Sequence, residues 1–486
     1  MIMMAKHIRI TTKAAGVVEA VMTSENPKTA EAIWTALPIR GSANTWGDEV
    51  YFSIPVSLKE EKARAEVEVG SIAYWPPGKA LCIFFGATPV SQHGEPRAYS
   101  PVNVFAKVTT DVTAFKKVRD GDQVTVKRSK SEVVCDQLTH CHASLDWTYR
   151  GMRALVLENR YLRLVSLLDK GSDIAELTYK PLDLDLLFHA PNGYRKPGTV
   201  VGTCKRSEGE FMEYYGGGWQ DILPFAGNEP IKHRFGEWGM HGETPLLPWD
   251  AVIEKDSPSE VTVKLSVDTP RYPFHLDKWV TINDKTATIS IRERLTNTSA
   301  QTLEYCWVQH PALGSPFVGP GTKITVPAET VVMNKAEPWG RLKAETTYRW
   351  PHVEDKAGKK VDLSVLPADN VVADETAFIT NIKEPWYAVV NPDLKLGFAL
   401  RWDLSVFPGL WFWQSYRIPD HPWFGKAYCI ALEPCSGHLT AYEQLKRGTI
   451  KKLEGNASLE SQLTATVFPG VEKVKTVNPD GAVAPS

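Results

Sequence analysis

Residues 216–250, GGGWQDILPFAGNEPIKHRFGEWGMHGETPLLPWD, decide how the larger part of the chain is interpreted. Six glycines precede His241 and prolines recur, a composition that argues against a long helix or a central strand. We therefore expect an ordered loop between strands. Loops that combine aromatic rings with a histidine often carry binding sites, and Trp219 and Trp249 offer flat faces for the C–H groups of a sugar. The alternative is that the tryptophans are core residues and His241 only stabilises the loop.

The composition describes a globular protein with two or three domains. The chain has 486 residues, 55 basic and 57 acidic side chains, and a formal net charge of −2. This balance gives no reason to expect nucleic acid or an anionic membrane as a partner, and no apolar run is long enough for a spanning helix. The seven scattered cysteines form no zinc-type C-x-x-C pairs. Free thiols and the lack of a signal-peptide pattern favour a cytoplasmic protein without a bound metal.

Short strands dominate residues 1–129. The segments 7–12, 14–22, 49–55, 67–75, 80–85, 102–108 and 123–127 have the composition of strands, and only residues 29–37 have the periodicity of a helix. Many short strands with a single helix predict a small closed barrel.

Three segments of this module resemble a small cyclophilin-like domain family. They are ALPIRGSANTWGDEVYFSIPV at 36–56, VGSIAYWPPGKALCIFFGATP at 69–89 and SPVNVFAKV at 100–108. The resemblance implies a cyclophilin-like β-barrel over residues 1–129 and no particular activity. Arg97 is a weak parallel to the arginine of prolyl isomerases, so a binding or packing module is the preferred interpretation. The candidate cleft residues are Trp46, Asp48, Glu49, Tyr74, Trp75, Arg97 and Tyr99.

The second module, residues 130–486, is also predicted to be all-β. The polar segment 128–132, RSKSE, marks the boundary, and apolar runs then alternate with turn residues to the end of the chain. Asn283-Asp284 between two such runs predicts a hairpin. Residues 470–486 are expected to form a loose tail.

Four segments of the second module resemble the aldose 1-epimerase (galactose mutarotase)-like superfamily, in the same order along the chain. They are YRGMRALVLENRYLRLVSLLDKGSDIAEL at 149–177, the loop at 216–250, LTNTSAQTLEYCWVQHPALG at 295–314 and YCIALEPCSGH at 428–438. The resemblance implies a β-supersandwich whose site lies on a concave face. It also implies that His310 is the general acid, Glu433 the general base and His241 a residue that orients the substrate.

The sequence departs from that family around both catalytic positions. Gln309 precedes the histidine where the family has Asn, and Pro434 follows the glutamate where the family has Gln. The substrate-binding arginine is not evident, with Arg195 and Arg234 as candidates, and Trp413 is a candidate lining residue. These departures predict a divergent member whose substrate need not be a plain hexose.

The chemistry that the resemblance implies suits these residue types. Opening a cyclic hemiacetal removes a proton from the anomeric hydroxyl and delivers one to the ring oxygen. A partly desolvated carboxylate and an imidazole both titrate near neutral pH, so the two groups can exchange these protons. The reaction then needs neither a nucleophile nor a cofactor. We therefore expect a small carbohydrate as the partner. The sequence leaves a homo-oligomer open.

Other interpretations remain at this stage. Glu433 could be an ion-pair partner of Arg401 or Arg417, and His310 could pack against Trp307. The whole module could be a non-catalytic sugar-binding or sensing protein. It could also be a polysaccharide lyase or another glycoside-processing enzyme on the same fold. Ordinary glycosidases need two catalytic carboxylates, however, and the sequence indicates only one.

Overall fold

The structure, a computed structural model, describes residues 6–129, 140–199 and 209–486. Its contacts divide the chain into two compact units, Met1–Val134 and Cys135–Ser486. The boundary between the units lies outside the described residues, so the predicted boundary after residue 129 stays a prediction. No helix in the described part of the chain is both long and apolar enough to cross a membrane.

The described part of the N-terminal unit is a barrel of short strands with one α-helix, as predicted, and a short 3-10 helix at Val112–Lys117. Within residues 6–129 the strands hydrogen-bond in the order β3-β10-β1-β2-β9-β7-β8-β5-β4, and β6 pairs with β9. The helix α1 spans Pro27–Ala36 and begins with a proline, which needs no N–H at that position. The strands are β1 (His7–Thr12), β2 (Gly16–Met22), β3 (Ile39–Ser42), β4 (Asn44–Thr45), β5 (Glu49–Ser53), β6 (Arg64–Glu66), β7 (Ser71–Trp75), β8 (Ala80–Phe84), β9 (Arg97–Val108) and β10 (Gln123–Arg128).

The C-terminal unit is built on a large antiparallel sheet. Among the described residues its order is β11-β12-β13-β14-β16-β24-β34-β33-β30-β26-β27, with β15 beside β14. The strands are β11 (His142–Tyr149), β12 (Met152–Glu158), β13 (Leu162–Leu167), β14 (Asp173–Tyr179), β15 (Leu184–Asp185), β16 (Trp219–Ile222), β24 (Val308–Gly314), β26 (Ala328–Met333), β27 (Thr347–Arg349), β30 (Ala373–Ile382), β33 (Gly409–Tyr416) and β34 (Tyr428–Cys435).

A second sheet packs on one face of the first. Its order is β19-β20-β21-β22-β36-β32-β31-β25, and the predicted hairpin at Asn283-Asp284 is the connection between β21 and β22. Its strands are β19 (Asp250–Ser257), β20 (Glu260–Asp268), β21 (Phe274–Asn283), β22 (Thr288–Asn297), β25 (Lys323–Thr325), β31 (Trp386–Asn391), β32 (Leu396–Arg401) and β36 (Ser458–Pro469). Alternate residues of the two sheets form one apolar core between them.

Short elements complete the unit. The α-helices among the described residues are α2 (Gly209–Tyr214) and α3 (Ala441–Arg447), and short 3-10 helices span Lys180–Leu182 and Thr244–Leu246. In the part of the unit that the structure describes, four pairs of strands form separate ribbons: β17 (Ile231–His233) with β18 (Gly236–Trp238), β23 (Leu303–Tyr305) with β35 (Lys451–Leu453), β28 (His352–Glu354) with β29 (Lys360–Asp362), and β37 (Val474–Val477) with β38 (Val483–Pro485). The last ribbon corrects the expectation of a loose tail, because Val474 and Val477 are buried.

The glycine-rich segment at 216–250 contains a central strand, which corrects the expectation that it is only a loop. β16 lies between β14 and β24 in the larger sheet. Glycine is needed just before this strand because other backbone segments approach it closely. A Cβ on Gly217 would lie 1.9 Å from the carbonyl oxygen of Phe188, and a Cβ on Gly218 would lie 2.5 Å from that of Ile174.

Charged and polar side chains from both sheets meet inside the core. Lys278 of β21 donates to Asp221 of β16 over 2.8 Å. The Gln309 amide group donates to Asp221 and, over 3.0 Å, to Glu293 of β22. Burial and the neighbouring Asp221 raise the pKa of Glu293 well above its ordinary value, so this carboxyl is neutral. The network ties the two sheets together beneath β24.

Candidate active site

His310 and Glu433 lie on neighbouring strands in the middle of the larger sheet. β24 and β34 are antiparallel, and their register pairs Ala312 with Ala431, so that two residues away His310 lies opposite Glu433. Directly opposed residues of two strands share a face of the sheet. Each of the two residues is followed by a proline, which has no N–H to donate to a neighbouring strand.

The two side chains are close, buried and incompletely hydrogen-bonded. His310 Nε2 lies 3.6 Å from Glu433 Oε1, and the residues are 6% and 2% exposed. His310 Nδ1 and Glu433 Oε2 have no hydrogen-bond partner among the described residues. Buried polar atoms in folded proteins are nearly always partnered, so these two atoms are suited to a bound molecule or water.

The structural alternatives for the pair do not fit their surroundings. Arg401 donates to the carbonyl oxygen of Val477, and Arg417 forms its ion pair with Asp369, so neither is the partner of Glu433. Trp307 packs against another ring, that of Phe407. The rings beside His310 are instead those of Tyr215, His241 and Trp413.

Burial sets the protonation of the pair. It lowers the pKa of His310 to about 4, against a smaller opposing effect of the residue's own backbone. It raises the pKa of Glu433 well above its ordinary value. At neutral pH the imidazole is therefore neutral and the carboxyl holds the proton. In this resting state Glu433 is the residue that can donate a proton, and the neutral His310 is the residue that can accept one.

His241 is held beside the pair by an unusual backbone conformation. Its φ angle is 62°, in the left-handed region, and its N–H donates to the carbonyl oxygen of Gly227. The Gly227 N–H donates to His241 Nδ1 over 3.4 Å, which leaves the proton of the neutral ring on Nε2. The ring centroid lies 5.8 Å from that of His310. Burial, and secondly the repulsion that a protonated His310 would exert on a second charged ring, lower the pKa of His241 well below its ordinary value, so the ring stays neutral.

Aromatic side chains cover the three polar residues. Phe211 of α2 contacts His241 with 4.5 Å between ring centroids, and Tyr215 contacts His310 with 5.9 Å. Trp423, from the connection between β33 and β34, packs on Tyr215. The hydroxyl of Tyr215 is buried without a hydrogen-bond partner among the described residues. The cover therefore adds one more unused polar atom to the site.

Trp413 is fixed in orientation next to His310. Its ring centroid lies 5.9 Å from that of His310, with the rings inclined at 40°. Its indole N–H donates to Asp374 Oδ1 over 2.9 Å. Burial raises the pKa of Asp374 to about 6, although the indole hydrogen bond acts in the opposite direction. Of the four predicted substrate-binding residues other than His241, only Trp413 contacts the pair.

A polar row continues from His310 across the sheet. Gln220 lies opposite His310 in the register of β16 and β24. Its amide group donates to Asp173 Oδ2 over 3.1 Å, and Asp173 forms a buried ion pair with Lys170. Gln220 Oε1 and Asp173 Oδ1 are further buried oxygens without a hydrogen-bond partner in the described structure. The face that carries His310 is thus polar along two more strands.

Trp219 and Trp249 lie elsewhere, which corrects the expectation that their rings face a sugar. Successive residues of a strand point to opposite faces, and because Gln220 shares the face of His310, Trp219 points into the core between the sheets. Its indole N–H donates to Gln309 Oε1 over 2.9 Å. Trp249 is fully buried, with the Lys278 ammonium 4.8 Å from its ring centroid.

Arg234 is also not brought to the pair. It lies in the turn between β17 and β18, and its guanidinium donates to Glu304 and to the carbonyl oxygen of Thr302. The other candidate arginine, Arg195, donates to the carbonyl oxygen of Glu213. Lys170, by contrast, does contact the polar row, through its ion pair with Asp173.

Sequence reasoning missed Tyr215, Gln220 and Trp423. The signal for Gln220 was present, because a strand assigned to WQDI would have placed Trp219 and Gln220 on opposite faces. Tyr215 precedes the glycine run and Trp423 lies in the polar segment between β33 and β34. Nothing local in either segment indicates that its ring contributes to the aromatic cover of the site.

The described residues contain no group of three or more His, Cys, Asp or Glu side chains arranged to hold a metal ion. Two cysteines lie on the same strand as Glu433. Burial raises the pKa values of Cys429 and Cys435 well above the ordinary value, so both remain thiols. The thiolate is the form that binds metals and attacks carbonyl carbons, so neither residue is prepared for such a role.

Solved structures are similar to parts of this chain. A candidate aldose 1-epimerase from Klebsiella pneumoniae is 14% identical, with a TM-score of 0.52 over 68% of this chain and 84% of that protein. A galactose mutarotase-like protein from Clostridium acetobutylicum is 11% identical over 68% of this chain and 99% of that protein, with a TM-score of 0.48. The hypothetical protein AF2241 from Archaeoglobus fulgidus is 42% identical over 26% of this chain and 95% of its own length, with a TM-score of 0.24.

At these identities the Klebsiella protein shows the fold alone, which is the predicted mutarotase-like sandwich. A search of curated proteins finds no significant match. Residues 6–127 match the family described as Cyclophilin-like, which confirms the predicted fold of the N-terminal unit. Residues 149–467, more than half of the chain, match a second family model. The chain therefore belongs to the family described as Domain of unknown function (DUF4432).

Proposed function

We propose that the C-terminal unit catalyses isomerisation at the anomeric carbon of an aldose or sugar derivative, in the manner of an aldose 1-epimerase. One observation carries the proposal. His310 Nε2 and Glu433 Oε1 lie 3.6 Å apart, and each side chain keeps a second buried atom without a hydrogen-bond partner among the described residues. The sandwich fold shared with a candidate aldose 1-epimerase is consistent with this reaction, although fold alone does not determine activity.

The reaction needs one proton to move in each direction. In ring opening, His310 accepts the proton of the anomeric hydroxyl while Glu433 gives its proton to the ring oxygen, and the bond between the anomeric carbon and that oxygen breaks. The aldehyde then rotates about its carbon–carbon bond. In ring closure the imidazolium returns a proton to the carbonyl oxygen and the carboxylate takes one from the hydroxyl. The enzyme and the overall proton count are then unchanged.

The protonation state of the resting pair favours this order of proton transfers over the order that the family resemblance implies. Burial leaves His310 neutral and Glu433 protonated, so Glu433 is the first donor. The resemblance assigns the acid to His310 and the base to Glu433, and those are the roles of the closing half-reaction. Each turnover therefore uses both assignments, and the state between the two halves is an ion pair of imidazolium and carboxylate.

His241 and Trp413 suit the binding of a sugar beside the pair. The neutral His241 ring carries its proton on Nε2 and can donate to a sugar oxygen. Trp413 presents an oriented aromatic surface next to His310, because Asp374 holds its indole N–H. The oxygens of Gln220 and Asp173 along the same face can accept bonds from further hydroxyl groups.

Entry of a sugar requires the aromatic cover to move. The pair is almost inaccessible to solvent beneath Phe211, Tyr215 and Trp423. Closure of such a cover over a bound sugar would exclude water and strengthen the proton transfers within the site.

A lyase is the second candidate, and the Tyr215 hydroxyl favours it. The Tyr215 ring lies beside that of His310, and its hydroxyl is buried without a partner in the described structure, so the hydroxyl is available to transfer a proton. Burial raises the pKa of Tyr215 well above its ordinary value, which favours donation of a proton over its removal from carbon. We therefore rank the lyase below the isomerase.

The experiment is an anomeric-exchange screen by NMR on neutral, phosphorylated and acidic aldoses. The parent protein should accelerate exchange of at least one of them, and Tyr215→Phe should retain most of the acceleration. Saturable binding of a sugar without acceleration would replace the isomerase with a sugar-binding protein. An unsaturated product from uronic-acid oligosaccharides, lost in Tyr215→Phe, would replace it with a lyase.

A further inference from the structure

A cavity of about 300 Å³ opens in the N-terminal unit, on the side of the sheet away from the barrel core. Tyr51 and Cys82 face it from paired positions of β5 and β8, whereas the adjacent Val50 and Phe52 point into the core. The volume is within the range of small-molecule sites, about 300–1,000 Å³. The lining residues are Trp46, Glu49, Tyr51, Trp75, Cys82, Ala98, Tyr99 and Val102.

Aromatic rings form the walls of this cavity. Trp46 and Trp75 both meet Tyr99 nearly at right angles, at 75° and 80°, with centroid distances of 6.0 and 6.5 Å. The indole N–H of Trp75 donates to Ser100 Oγ over 2.7 Å, which fixes its orientation. Tyr99 is 74% exposed, far more than a tyrosine retained for packing in the core needs to be.

Glu49 is the charged group of the cavity. It is 5% exposed, and its carboxyl accepts a hydrogen bond from the thiol of Cys82. Burial raises the pKa of Glu49 to about 7, and no cationic side chain among the described residues counteracts this effect. A buried carboxyl without a cation is costly unless something supplies the opposite charge.

We infer that this cavity binds a small organic cation with apolar substituents, of the alkylammonium class. The electron-rich faces of tryptophan and tyrosine attract such cations, and Glu49 supplies the counter-charge. A sugar fits the cavity less well, because its hydroxyl groups need several polar partners, and the lining offers one carboxyl group and otherwise mainly aromatic and aliphatic side chains. The inference is independent of the activity proposed for the C-terminal unit.

The probe is choline, compared with its neutral isostere 3,3-dimethyl-1-butanol, by titration of the full chain with tryptophan fluorescence and calorimetry. Choline should bind with a dissociation constant in the millimolar range or below, and the isostere at least about tenfold more weakly. Glu49→Gln should weaken choline binding about tenfold and leave the isostere unaffected. Glu68→Gln, at an exposed carboxylate of the same unit, should change neither.

Tyr99→Leu keeps the inference testable if Glu49→Gln impairs folding. Because Tyr99 is largely exposed, its replacement should preserve the fold and weaken choline binding several-fold. Equal affinity for choline and the isostere would overturn the inference, and so would the absence of saturable choline binding. Saturable binding of a neutral sugar that Tyr99→Leu abolishes would assign the cavity to carbohydrate instead.

Discussion

Replacement of Glu433 by glutamine should make the C-terminal unit more stable at neutral pH, although it removes a residue of the proposed site. Burial raises the pKa of this carboxyl well above its ordinary value of 4.5. Below that value the group is protonated in both the folded and the unfolded chain. Above it the unfolded chain releases the proton while the folded chain retains it, so the free energy of unfolding falls as the pH rises. Glutamine has nearly the same shape and does not titrate.

The expected size of the effect is about 1.4 kcal/mol for each pH unit between 4.5 and the pKa of the folded protein. His310 contributes in the opposite direction. Its pKa is lowered from 6.5 to about 4, so its neutral form adds stability as the pH rises through that window and is fully effective above it. Comparison of the variant with the parent at each pH removes this contribution, because His310 is present in both proteins.

The assay is urea unfolding of both proteins at about pH 5, 6 and 7, with Glu237→Gln as an exposed control. The advantage of Glu433→Gln over the parent should grow by about 1.4 kcal/mol per pH unit, whereas the control should show no trend. A flat difference would mean that Glu433 is ionised in the folded protein. A stability loss on substitution would mean that Glu433 is ionised and paired with a charged His310. Either result refutes the protonation state on which the order of proton transfers rests.

Substitutions at three further positions test the assignment of individual residues. Trp413→Phe should weaken sugar binding several-fold with little change in Tm, since it removes an indole held by Asp374 at the edge of the site. His241→Ala should be about 1 kcal/mol less stable than His241→Gly in denaturant unfolding, because only glycine adopts a φ of 62° without strain. Both variants should lose activity. Trp249→Ala should cost about 3–5 kcal/mol of unfolding free energy, as expected for a tryptophan in the core. A soluble, stable Trp249→Ala variant with weaker sugar binding would instead show that Trp249 belongs to the sugar-binding site.

The sequence predicted the fold class because strand signals are local. The alternation of apolar residues and the Asn283-Asp284 turn can each be recognised from a few consecutive residues. The hairpin of β21 and β22 has the predicted turn. The glycine run at 216–218 was misleading for a physical reason. Glycine supports loops, but it also allows one backbone to approach another, and here it admits β16 to the centre of the sheet.

The site was only partly predictable from the sequence. His310 and Glu433 were proposed from family motifs, and their strands do lie side by side. Which tryptophan faces a sugar depends on a one-residue choice of strand register, and a composition argument cannot make that choice. The aromatic cover is formed by residues far apart in the chain, such as Tyr215 and Trp423, so no local sequence pattern predicts it.

The most direct test of the central claim compares single and double substitutions at His310 and Glu433. On an aldose identified by anomeric exchange, His310→Gln and Glu433→Gln should each reduce the exchange rate by about a hundredfold or more, as expected for loss of general acid–base catalysis. The double variant should be no slower than the slower single variant, because residues that act as one unit lose their function together. Retention of near-parental exchange in either single variant, or additive losses in the double variant, would contradict the claim that the two side chains form one acid–base pair.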